Sequence, residues 1–270
     1  MRIALLVTCL AQAFAPEVAD AAAELVAAAC GVEVELLGDG CCGQPAWNAG
    51  YPAEARALAR RLIPRLSAYD RVVVPSGSCA TMLLRYYPHL FPADAALAGQ
   101  AAALAARTVE FSAFLAPHLA VPRGATDGQA ETTPTDAANP EGPDPAPVGV
   151  AFHPSCHSLR GAFVGDAGQR CLAAAGCTLC AQADAEECCG FGGLFAVKEP
   201  ALSTAMADRK LDALIAAGAE TVVAGELGCL LHLEGRARRR GMLLRFRHLA
   251  LVLADAWRAA PLPQGGREDA

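Results

Sequence analysis

The sequence predicts an α/β fold made of two pseudo-symmetric, mostly parallel α/β halves that arose by internal duplication. Three observations predict it. Short aliphatic runs of strand length alternate with longer stretches of helical spacing. A Cys…Cys-Cys-Gly…Cys pattern occurs twice. A stretch almost free of large apolar residues separates the two copies.

The duplication rests on spacing. Cys9 is followed after 32 residues by Cys41-Cys42-Gly43, and Cys156 after 32 residues by Cys188-Cys189-Gly190. From the second cysteine of each pair, the next is 37 residues on at Cys79 and 40 residues on at Cys229. Residues 122–147 between the copies are rich in Pro, Gly, Thr, Asp and Ala. Such a composition buries too little apolar surface to offset its ordering entropy, so a disordered linker is expected there. The expected domains are 1–121 and 148–260, with a loose tail at 261–270.

Strands are expected at 2–8, 32–37 and 71–75 in the first half, and at 148–152, 178–182, 221–224 and 243–247 in the second. Helices are expected at 16–29, where Pro16 suits a first turn, at 53–66, at 201–217 with Gly218 as its stop, and at 249–259. Cys9 and Cys156 then follow first strands, and Cys79 falls in a loop, SGSC, after a third strand. In open α/β sheets ligands bind beyond the carboxyl ends of the strands. Each half should therefore gather four sulfurs at one sheet edge.

Composition narrows the class. Alanine dominates an apolar fraction of 54%, which suits a globular, helix-rich chain. A net charge of −6 argues against nucleic acid as a partner. No stretch is long and apolar enough to suggest a membrane span. The apolar start reads as a first strand rather than a signal peptide, so a cytoplasmic location is expected. Twelve cysteines in such a chain point to metal or redox chemistry rather than disulfides.

The candidate metal ligands are Cys9, Cys41, Cys42, Cys79, Cys156, Cys188, Cys189 and Cys229. Four thiolates suit zinc or an iron–sulfur cluster. Structural zinc is usually held by two short CxxC knuckles, whereas these sulfurs come from three separated segments, two of them neighbours. The scatter favours a cluster, with zinc or metal-free thiols as the alternatives. Gly43 and Gly190 let the backbone turn sharply beside each pair. Gly192 and Gly193 extend that freedom and leave N–H groups for sulfur.

The segments TCL at 8–10, GCCGQPAWNAGY at 40–51, PSGSCATM at 75–82, HPSCHSLRG at 153–161, CCGFGGLFAVKEP at 188–200 and GCLLH at 228–232 resemble the cysteine-rich CCG domain family of heterodisulfide reductase B-type subunits. Within it they are most similar to short, stand-alone members that serve lactate utilization. The resemblance implies iron–sulfur clusters, one or two per chain, in an electron-transfer subunit of an L-lactate (2-hydroxy acid) oxidation complex. It implies other subunits as partners, and a small 2-hydroxy acid as a substrate of the assembly. Two departures stand out. The heterodisulfide reductase type closes each site with CxxC, five cysteines in all; here the missing mates fall on Ser76 or Met82 and on Glu226 or His232. That favours 4Fe–4S clusters on four thiolates over a five-thiolate centre that cleaves disulfides. There is also no ferredoxin-like CxxCxxCxxxCP run.

His153 and His157 flank Cys156, and with Arg160 they form the candidate catalytic set, for proton supply, ligation or holding a carboxylate. His232 is a candidate cofactor-binding residue three positions after Cys229. Cys30, Cys171, Cys177 and Cys180 are expected to be structural. The basic run at Arg236, Arg238, Arg239 and Arg240 is expected to be a solvated helix end. GFGG at 190–193 is not a dinucleotide fingerprint, so the hydride chemistry is assigned to a partner.

Overall fold

A computed structural model describes residues 1–38, 40–119 and 149–259. The segment expected as a linker and the tail lie outside them. The first half runs β1 (Ile3–Leu6), α1 (Cys9–Phe14), α2 (Glu17–Cys30), β2 (Val34–Leu37), α3 (Gln44–Asn48), α4 (Pro52–Leu66) and β3 (Arg71–Val74). It continues through α5 (Gly77–Thr81), a π-helical turn at Met82–Tyr86, α6 (Ala95–Ala105), β4 (Thr108–Glu110) and α7 (Phe111–Leu115). The second half runs β5 (Val150–Phe152), α8 (Cys156–Arg160), α9 (Ala167–Ala174), α10 (Phe195–Lys198) and α11 (Pro200–Ala216). β6 (Thr221–Ala224), α12 (Leu227–Arg239), β7 (Arg245–His248) and α13 (Leu249–Ala259) complete it.

Both sheets are wholly parallel. The first has the order β2-β1-β3-β4 and the second β5-β6-β7. The expected strand at 178–182 is corrected: one residue, Leu179, bridges Val150 in parallel, at the place that β2 occupies beside β1. Gly176 before it and Asp184 after it both take positive φ, so the chain turns in and out too quickly for a ladder. The order is otherwise the same in both halves, as duplication requires. Gly218, at φ +72°, ends α11 as expected.

The central strands β1 and β6 are buried on both faces, which explains their unbroken apolar runs. Ile3, Leu5 and Val73 join Val150, Val223, Leu172 and Leu253 in one core shared by the halves. In that core α2 packs against α13. The alternate residues Leu6, Val72 and Val74 face a private core under α4 and α6, and Val222 faces its own under α11. Among the described residues no helix is long and apolar enough to cross a membrane.

A second contact aligns the strand ends. α5 of the first half lies on α8 of the second. Thr81 Oγ1 donates to the His157 carbonyl (2.9 Å), and Arg85 Nε donates to that of Gly161 (3.0 Å). Glycine permits the approach: a Cβ on Gly77 would stand 2.8 Å from Ser155 Oγ and closer still to Ser158, and one on Gly161 would collide with Thr81. Gly77→Ala and Gly161→Ala should each cost about 1–3 kcal/mol in urea unfolding, the usual range for overpacking. Gly99→Ala, open to solvent within α6, should be neutral or stabilising.

Beneath this contact lie two buried caps at equivalent places. Glu110 ends β4 and accepts from Ser112 N (2.8 Å), Ser112 Oγ (2.6 Å) and Ala113 N (3.1 Å). His248 ends β7 and accepts from Ala250 N (3.2 Å) at Nδ1. Burial raises the Glu110 carboxyl from 4.5 to about 7, against the pull of those donors. Between these values the folded chain keeps a proton that the unfolded chain has lost, so this group's stabilisation is lost as pH rises through the window. His248 and His153, lowered by burial to about 4 and about 3, act with the opposite sign below pH 6.5. Glu110→Gln should therefore gain stability relative to the native chain between pH 5 and pH 8, by up to about 3 kcal/mol in denaturant titrations.

Candidate metal centre

The eight cysteines occupy equivalent places in the two halves. Cys9 opens α1 behind Thr8, whose Oγ1 accepts from Ala11 N (3.3 Å), and Cys156 opens α8 behind Ser155, which accepts from Ser158 N (3.1 Å). Cys79 is not in a loop, as expected from SGSC, but in the first turn of α5; Ser76 caps that turn and accepts from Cys79 N (3.3 Å). Hydroxyl residues before Cys9 and Cys156 are N-cap signals, and Ser76 is one for α5. Cys229 lies in the first turn of α12, so all four lone cysteines stand in the first turn of a helix.

The vicinal pairs repeat in detail. Gly43 and Gly190 take φ of +87° and +88°, and each donates its N–H to the first cysteine of its pair, Cys41 or Cys188, at 3.4 Å. A Cβ on Gly190 would stand 2.5 Å from Ser203 O. Phe191 N adds a bond to Cys189 Sγ (3.5 Å). Within the first quartet the Sγ atoms of Cys9 and Cys41 are 4.0 Å apart and those of Cys42 and Cys79 are 3.1 Å apart. In the second, Cys189 and Cys229 are 3.0 Å apart.

Both quartets border one cavity of about 540 Å³ between the halves. Its wall includes Cys9, Cys42, Cys79, Cys156, Cys188, Cys189 and Cys229. The Cys41 thiol is lowered to about 2 by hydrogen bonds from Cys42, Cys9 and the Gly43 amide, against burial. Cys188 is lowered to about 2 by Cys156, Cys189 and the Gly190 amide in the same way. Their donors Cys9, Cys42, Cys156 and Cys189 are pushed up, first by the bond to that thiolate and then by burial. Each quartet is a half-buried set of soft donors with amides aimed at sulfur. That donor set fits an iron–sulfur cluster, and four thiolates also fit zinc.

The positions of the absent fifth cysteines are resolved. Ser76 and Glu226 lie on the cavity wall; Met82, fully buried, and His232 do not. The two wall residues are equivalents that meet: Ser76 Oγ donates to Glu226 Oε2 (2.9 Å), which also accepts from Ser78 N (2.8 Å). The carboxylate of one half therefore caps the helix that carries Cys79 of the other.

The candidate histidines part company. His157 lines the cavity, with Nε2 3.4 Å from Gln44 Nε2 and Nδ1 3.7 Å from Cys156 Sγ. His153 is fully buried behind the second quartet. His232 stands behind Phe191, with Nε2 3.3 Å from Ser203 Oγ. Arg160 is exposed, away from the wall, and donates to Glu186 O (3.3 Å). Gly192 and Gly193 lie on the wall at positive φ. Cys171 and Cys177 are core residues, raised by burial to about 12 and about 11. Arg236 and Arg240 are paired with Asp208 and Asp212, and Arg238 with Glu234.

One residue escaped sequence reasoning. Lys210 is buried beside the second quartet, where Nζ donates to the carbonyls of Asp184 (3.3 Å) and Ala185 (2.7 Å). Burial lowers it, while Glu187 and then Cys189 pull it back. The ten-residue step from Pro52 to Leu62 matches that from Pro200 to Lys210, so overlaying the halves exposes the change.

A family model described as cysteine-rich domain matches twice, over residues 3–84 and 150–234. The chain belongs to the cysteine-rich CCG family. It is similar to lactate utilization protein A 2 of Bacillus cereus, 33% identical over 94% of this chain and 98% of that protein. It is also similar to lactate utilization protein A of an Exiguobacterium species, 35% identical over 96% and 99% of the two chains. The two CCG segments contain all eight quartet cysteines and stop before β4 and β7. The buried caps Glu110 and His248 thus lie outside the CCG repeat and belong to the seam between its copies. Glu226→Ala in this CCG chain should lose about 1.5–3 kcal/mol, because Ser76 and Ser78 N–H lose a charged acceptor; Glu226→Gln should lose less. Chemical denaturation of the two variants checks the order.

Proposed function

We propose that this chain is the iron–sulfur electron-transfer subunit of an L-lactate (2-hydroxy acid) oxidation system in the cytoplasm, working with separate partner subunits. The observation that carries the reading is the pair of equivalent cysteine quartets on one cavity. The naming of relatives as lactate utilization protein A supports the pathway.

In the first half Cys9, Cys41, Cys42 and Cys79 would hold one cluster, and in the second Cys156, Cys188, Cys189 and Cys229 would hold another. When bound, 4Fe–4S clusters supply reversible one-electron transfer. The chain's own residues do the rest. The Gly43, Gly190 and Phe191 amides donate to ligand sulfur and so stabilise its negative charge. Apolar wall residues such as Leu10, Phe191 and Leu194 keep water from the centres. Tyr51 and Val197, large and exposed on the wall, offer a partner subunit an apolar rim. His157 is placed to hold a proton beside Cys156.

Anaerobic purification followed by assay of iron, acid-labile sulfide and zinc tests the reading. Iron with matching sulfide is expected. Zinc without iron would overturn it in favour of a structural Cys₄ site. Cys189→Ser should lower bound iron, and undiminished iron would overturn the ligand assignment. Lys210→Leu installs the first half's residue and removes a buried cation. The midpoint potential of the second centre should then fall in an EPR-monitored redox titration, with the first unmoved.

A further inference from the structure

The two quartets are alike in their cysteines but not in what stands behind them. Three residues before Cys9 the first half has Leu6, packed with Cys42 and Cys79 in an apolar cluster. Three residues before Cys156 the second half has His153. His153 closes β5: its main-chain N–H donates to Val223 O (2.7 Å), and Pro154 after it favours extended backbone. The side chain is wholly buried. Neither Nδ1 nor Nε2 has a hydrogen-bond partner, although buried imidazoles almost always find one. A ring nitrogen and the Sγ atoms of Cys189 and Cys229 all lie within 4.8 Å of one another.

The structure assigns His153 as a nitrogen ligand of the second-half metal centre, so that the two centres of the duplicated chain differ in their donor sets. The assignment rests on the iron–sulfur reading above. Other roles for the ring are closed off by its neighbours. Lys210, the nearby cation, has no acceptor to offer and is committed to two carbonyls. His157 and His232 have partners of their own and lie outside the trio.

The test uses the full chain, grown with ¹⁵N-histidine or natural histidine, purified anaerobically and studied by pulsed EPR in reduced and oxidised states. A histidine-nitrogen coupling that changes with the isotope is expected. It should vanish in His153→Leu, which installs the first half's residue, and survive in His232→Leu and His157→Leu. Iron and sulfide filling both halves without any such coupling overturns the inference and leaves the iron–sulfur reading standing. So does a coupling that persists in His153→Leu. A chain that binds neither iron nor sulfide overturns both. The isotope comparison on the native chain decides the matter even where His153→Leu folds poorly.

Discussion

The packing of α5 on α8 is the contact on which the rest of the site depends. Each half brings three cysteine-bearing segments to one edge of its parallel sheet, most of them beyond the carboxyl ends of strands, where an open α/β sheet exposes loops and helix starts. Sheets alone would leave two sulfur sets on separate edges. Gly77 and Gly161 let the two helices touch, Thr81 and Arg85 bond across, and the sets come to share one cavity. The buried Glu226 carboxylate fixes the same seam from the other side by capping α5.

Duplication gives the frame and divergence gives the chemistry. Caps, glycine φ angles and amide–sulfur bonds repeat closely, because each is a local requirement for presenting a thiolate. The residues behind the thiols have no such requirement, and there the halves differ: Leu6 against His153, Leu62 against Lys210, Ser76 against Glu226. Each change puts a polar or charged group where its equivalent is apolar or smaller. A buried polar group is costly without a partner; carbonyls answer Lys210, and Ser76 of the other half answers Glu226.

Much of the fold was legible because its signals are local. Residues 221–224 and 249–259 fall on β6 and α13, and the other predicted strands meet observed ones within a few residues, apart from 178–182. β4 escaped because TVE carries no alternation long enough to read, and α6 because its alanine-rich surface has no strong polar face. SGSC read as a loop because Ser and Gly are turn formers, yet Ser76 is a helix cap there.

The sequence by itself determined the duplication and the matched spacing of the eight cysteines, since spacing and residue type suffice for these. Only the tertiary structure decided that both quartets face one cavity, that Ser76 and Glu226 rather than Met82 and His232 stand at its wall, and that His153 is buried against two thiols while Arg160 looks outward. Those outcomes depend on how one half is set against the other. That setting comes from a shared core and two glycine contacts between residues far apart in the chain, which no spacing along the sequence records.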